Sequence, residues 1–181
     1  MNGGAEVFCG RENFSVDARE IAAVLDFLRG NAPWEFPEGT LSVAFLGDDE
    51  ICRMHGEFLA DFSKTDVITF PGDEIFSAPL ERANETEPRP GGNAVSADET
   101  DEAFAGEICV CVDQALRVAR ELNVAPADEL LLYLVHGWLH LAGFDDIADE
   151  DRRAMRAAEK TALALLRGNG LAPLKTATFP Q

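Results

Sequence analysis

The stretch Leu130–Leu141 is apolar on nearly every side of a helix except at two positions, His136 and His140. No other feature constrains the fold as strongly. A helix without a polar face must be enclosed by other elements. The two imidazoles must then find partners inside that enclosure or bind something there, because an unsatisfied buried polar group is costly. The longest unbroken apolar run, Leu130–Val135, is far too short to cross a bilayer. The N-terminus also lacks a basic stretch followed by an apolar core, so the expectation is a soluble, cytoplasmic protein without membrane partners.

The enclosing elements can be read on either side. Ala5–Cys9 predicts a short strand, and Ser15 or Asp17 caps a helix whose stripe Ile21, Val24, Leu25 and Leu28 ends near Gly30. Thr40–Leu46 predicts a strand, and Asp48 caps a helix to about Phe58 with Ile51, Met54, His55 and Phe58 on one side. Thr65–Phe70 is β-branched and aromatic, predicting an inner strand stopped by Pro71-Gly72. Gly106–Val112 returns to strand, and Asp113 leads a helix through Leu122. Pro126 or Ala127 opens the histidine helix, which Gly143 ends; Asp149 starts a charged helix to about Arg167, closed by Gly168-Asn-Gly170. Strands interleaved with helices predict an α/β (α+β) domain, one small mixed sheet packed by about five helices. A single domain over residues 1–170 is expected, with a solvated acidic loop at 78–103 and a loose tail at 171–181.

Composition narrows the function classes. The formal charge is −18 at pH 7, which argues against broad, non-specific phosphate binding but leaves room for a local basic groove. No binding to DNA is expected. Four cysteines, Cys9, Cys52, Cys109 and Cys111, show neither CxxC spacing nor the density of a disulfide scaffold. They read as small buried hydrophobes.

Residues four apart on a helix lie one above the other, so His136 and His140 can aim imidazole nitrogens at one point. Gly143 can take positive φ and turn the chain back sharply. Asp146, three residues on, could then supply a third ligand, with Asp145 as its competitor. Three protein ligands and an open fourth position for water describe a catalytic zinc site. The spacing His-x-x-x-His-x-x-Gly-x-x-Asp also resembles the metzincin protease signature. Metzincins place a Glu general base directly after the first His, where this chain has Gly137, so peptide hydrolysis by that route is not expected.

The same segment, His136-Gly-Trp-Leu-His-Leu-Ala-Gly-Phe-Asp-Asp146, resembles the HGxLHLxGYDH motif of the YbeY family of bacterial endoribonucleases. Thr65-Asp-Val-Ile-Thr-Phe-Pro71 resembles that family's TDVLSFP strand, and Gly106-Glu-Ile-Cys-Val-Cys-Val-Asp113 its GDIxIxxD strand. The likeness runs from about residue 41 to 160.

It implies a YbeY-like metal-dependent hydrolase fold, one zinc ion held by His136, His140 and Asp146, and single-strand-specific cleavage of RNA. The partners implied are ribosomal RNA and the small ribosomal subunit, in 3′-end maturation and ribosome quality control. Two departures stand out. The third ligand is histidine in most of the family, and a carboxylate is harder and broadens metal choice. The family also carries an arginine where this chain has Leu59, leaving Arg53 or Lys64 as the nearby cations. Asp66, Glu107 and Asp145 are candidate general bases, with Asp66 and Glu107 equally able to serve structure, and Thr65 borders the cleft. The alternatives are a non-catalytic ribosome-assembly factor with a structural metal, and a metalloprotease.

Overall fold

The computed structural model describes residues 5–59, 62–72 and 103–180. Within them a four-stranded mixed sheet runs in the order β1-β2-β4-β3. The strands are β1 (Ala5–Cys9), β2 (Thr40–Leu46), β3 (Val67–Pro71) and β4 (Phe104–Cys111). β1, β2 and β4 are parallel, and β3 is antiparallel to β4. β2 and β4 are buried on both faces because each is flanked by strands and covered by helices. Thr65–Phe70 was expected as an inner strand. Among the described residues β3 instead forms the edge, since only β4 pairs with it and its apolar side chains are covered by helices rather than by a further strand.

Five helices are described: α1 (Ala18–Asn31), α2 (Asp48–Leu59), α3 (Val112–Leu122), α4 (Pro126–Leu141) and α5 (Asp149–Gly168). Asp17 caps α1, its carboxylate accepting from the Arg19 amide. Strand alternation splits the apolar residues between two layers. Leu41, Val43, Phe45, Val67, Ile108 and Val110 face α1 and α4. Ala44, Leu46, Ile68, Cys109 and Cys111 face Ile51 of α2. Buried α4 lies between the sheet on one side and α3 and α5 on the others, which is the enclosure its all-round apolarity demands. No described helix is long and apolar enough to cross a membrane.

Two expectations change. Cys109 and Cys111 are buried, and burial pushes both thiols up to about 12, but Cys9 is exposed and Cys52 only partly covered. By strand alternation Cys9 shares the face of Ala5 and Val7, but it is the last residue of the edge strand β1 and stays exposed there. The segment after Gly170 is anchored rather than loose. Glu20 on α1 accepts from the amides of Lys175 and Thr176, Ser15 bridges to Thr178, and Leu174 is buried. Backbone-directed bonds of this kind leave little trace in composition. The acidic loop expected at 78–103 lies, apart from Ala103, outside the described residues.

Candidate metal centre

The site begins with the way α4 meets the sheet. Gly137 points at β3 and β4, where an added Cβ would come within 2.5 Å of Ile108 Cγ2 and 2.9 Å of Val67 Cγ2. A side chain there would push the helix off the sheet, so this position is glycine for packing. One residue before it and three after, His136 and His140 emerge roughly 60–100° round α4 from the face that Gly137 lays on the sheet, toward α5 and the turn that follows.

That turn is built by Gly143, at φ +93°, which brings the Phe144 carbonyl back to 3.0 Å from His140 Nδ1. Phe144 is held by Trp34, whose ring meets it edge-on at 5.3 Å. Asp145 accepts from the amides of Asp146 and Ile147 at 2.7 and 3.3 Å. It shapes the loop, and Asp146 is the aspartate directed at the histidines. One ligand atom from each of His136, His140 and Asp146 lies within 4.8 Å of the others.

The acceptors around the two rings dictate their tautomers. A carbonyl can only accept, so His140 Nδ1–H donates to Phe144 O. His136 Nδ1–H donates to Glu159 Oε1 on α5 at 2.8 Å. Both neutral rings therefore present lone pairs at Nε2, and these nitrogens face each other at 3.0 Å. Two lone pairs at that separation repel unless a cation lies between them. Two nitrogens each about 2.0–2.1 Å from one tetrahedral zinc ion stand roughly 3.3–3.4 Å apart, so a slight widening of this pair would admit the ion. Asp146 Oδ2, 3.7 Å from His136 Nε2, adds negative charge at the same point, so the donor set fits a divalent metal. The carboxylate behind one histidine and the carbonyl behind the other are the orienting bonds such ligands ordinarily carry.

The electrostatics agree. Burial alone would lower the pKa of His136, but its bond to Glu159 and the charges of Asp66, Glu159 and Asp146 outweigh that and raise it. The same surroundings that raise it favour positive charge at this point, as a proton or as a metal ion. It opens on a cleft of roughly 430 Å³ lined by stripes from three helices: Gln114, Val118 and Leu122 of α3; Glu129, Tyr133 and His136 of α4; Arg152, Arg156 and Glu159 of α5. Asp66 also lines it.

The candidate bases separate by position. Asp66 reaches the cleft, its Oδ1 accepting from the Val67 amide and the Thr65 hydroxyl. Glu107 lies on the other face of β4, with Cys109, and takes the Ser42 hydroxyl. Arg53 pairs with Glu57 and Lys64 with Asp48, and neither lines the cleft. Sequence reasoning missed Glu159 and Glu129. Glu159 carries only the faint signal of a charge next to the buried stripe Met155, Ala158, Ala162. Glu129, 7% exposed, has its pKa raised by burial, opposed by a bond from Tyr133 and assisted by Asp66 and Glu159.

The family model for endoribonuclease YbeY matches residues 11–167. The chain belongs to the YbeY endoribonuclease family. Its relative from Protochlamydia amoebophila, an endoribonuclease YbeY, is 31% identical over 119 residues, 66% of this chain and 65% of that protein. This chain thus spans just under two thirds of that YbeY protein's length. The endoribonuclease YbeY of Agrobacterium fabrum is 30% identical over 165 residues, covering 90% of this chain and 86% of that one. The solution structure of TM1509 from Thermotoga maritima superposes with a TM-score of 0.54 at 22% identity, over 91% of this chain and 90% of that chain. The YbeY-like fold expected from the three sequence blocks is therefore present.

Proposed function

We propose that this protein is a zinc-dependent endoribonuclease that cleaves single-stranded RNA, acting in the cytoplasm on the 3′ end of small-subunit ribosomal RNA and in ribosome quality control. The observation that carries this reading is the convergence of the His136 and His140 Nε2 lone pairs at 3.0 Å, beside Asp146, at the mouth of an open cleft in a YbeY-family chain. His136, His140 and Asp146 would hold the ion. When bound, it supplies positive charge to a phosphoryl oxygen and to the charge that develops in the transition state.

The remaining work falls to the chain. Glu159 and the Phe144 carbonyl hold the imidazoles in one tautomer and orientation. Asp66, held by Thr65 and the Val67 amide on the cleft wall, is the best-placed proton acceptor for an attacking water or RNA 2′-hydroxyl. Glu107 and Asp145 are assigned structural roles, the first bonding Ser42 and the second the loop amides. The cleft favours a catalytic over a purely structural metal, because structural zinc sites are closed by protein ligands, whereas the Asp146 side chain is 44% exposed. Gly137, pinned against the sheet, leaves a metzincin-type peptidase without its base.

Metal analysis paired with cleavage of a single-stranded oligoribonucleotide tests the reading. Wild type is expected to hold one metal per chain and to cut the RNA, and His136→Ala to lose both. Full cleavage by protein stripped of metal would overturn it.

A further inference from the structure

Asp66, Glu129, Asp146 and Glu159 all line the metal cleft, so an RNA backbone needs cations beside them to approach it. Those cations are on α5. Arg152 and Arg156, four apart and hence on one side of the helix, line the cleft. The same two side chains also line a neighbouring surface depression, together with Arg153 and Asp149. Three guanidiniums against one carboxylate make that depression, beside the acidic cleft, locally cationic in a chain of formal charge −18.

Pairing separates these arginines from most other basic side chains. Arg11, Arg19, Arg53, Lys64, Arg117 and Arg167 each face a carboxylate within 4.0 Å. Arg152 is partly committed as well, donating to the carbonyls of Asp146 and Ile147 and to Asp149, so it ties the rim to the loop that carries Asp146. Arg153 and Arg156 have no ion-pair partner among the described residues. Arg120 and Lys160 are also unpaired there but line neither depression.

Across the cleft, α3 presents a different surface. Val118 and Leu122 stand four apart, and Leu122 is 64% exposed. Beyond Gln114, one wall is therefore apolar and the other carries guanidiniums. An unpaired nucleotide has the same division between base face and phosphate, and a base held in a duplex could not reach the apolar wall.

We propose that Arg153 and Arg156 form a phosphate-binding rim that grips the RNA backbone flanking the scissile bond, with Arg152 locking that rim to the Asp146 loop. This rests on the endoribonuclease reading above. The planar guanidinium suits phosphate oxygens taken two at a time. The arginines position substrate and take no part in bond cleavage, so their loss should act on KM rather than kcat.

The test uses zinc-loaded full-length protein and a fluorescein-labelled single-stranded oligoribonucleotide, with cleavage kinetics and a salt titration of binding. Arg153→Ala/Arg156→Ala should raise KM roughly tenfold, leave kcat within about twofold, and flatten the log–log salt slope by about 1.4 for two lost single-strand contacts. Arg156→Lys should recover part of the KM loss. Arg19→Ala, which removes one positive charge from α1 away from both depressions, should resemble wild type. If wild type binds or cleaves the RNA while the double variant keeps its KM, affinity and salt slope, the rim is overturned and the endoribonuclease reading stands. A fall in kcat at unchanged KM also overturns the rim. Absence of both binding and cleavage in wild type overturns the two together.

Discussion

Glu159 Oε1 on α5 lies 2.8 Å from His136 Nδ1 on α4, so the helix that follows the metal loop orients a ligand in the helix that precedes it. Glu159→Ala is expected to weaken metal binding by about 10–100-fold, the usual consequence of removing such a bond. Glu159→Gln, which keeps an acceptor oxygen but no charge, should fall between. Competition against a chromophoric chelator measures both; equal affinity in all three proteins would refute an orienting role.

Gly137 lies where any side chain meets Ile108 and Val67. Gly137→Ala should cost about 1–3 kcal/mol by overpacking the α4–sheet interface, read as a lower urea midpoint. Gly137→Glu, which recreates the metzincin pattern, should unfold the chain or disturb the site and yield no peptidase. An unchanged midpoint in the alanine variant would show that the helix can lift at no cost.

Glu129 provides a pH test with a defined sign. Its folded pKa is raised from the ordinary 4.5 by burial, with Asp66 and Glu159 adding to the shift. The folded state therefore holds the proton more tightly than the unfolded chain, and stability from this group is complete below about 4.5 and lost as pH rises through the raised value. Glu129→Gln removes that loss. Metal-free Glu129→Gln should melt above wild type at pH 7, and the gap should close below pH 4.5. A gap independent of pH would mean that Glu129 does not titrate in this way.

With Asp146 as the third ligand, metal choice is expected to follow its chemistry. A carboxylate is a harder ligand than imidazole, so Asp146→His should shift preference toward zinc over manganese and magnesium. Competitive loading followed by elemental analysis reads the ratio. The idea fails if selectivity is the same in both proteins.

Local pattern carried much of this outcome. The stripe Ile21, Val24, Leu25, Leu28 is buried as its spacing requires. The all-round apolar α4 is enclosed, and Gly143 takes the positive φ that its place after the histidine helix demands. Where expectation failed, the deciding partner was distant in the chain. β3 is an edge strand among the described residues because of what pairs with β4, and residues 171–180 are anchored because Glu20, some 155 positions away, reaches their amides.

By itself the sequence determined the elements, the family and the two histidines that share one face of a helix, since each depends on neighbours a few residues apart or on ordered blocks. Tertiary structure alone decided that Glu159 orients His136, that Asp66 and not Glu107 reaches the cleft, and that the α5 arginines border it. Those relations depend on which face each element turns to another, and that is set by packing across the whole core rather than by any local spacing.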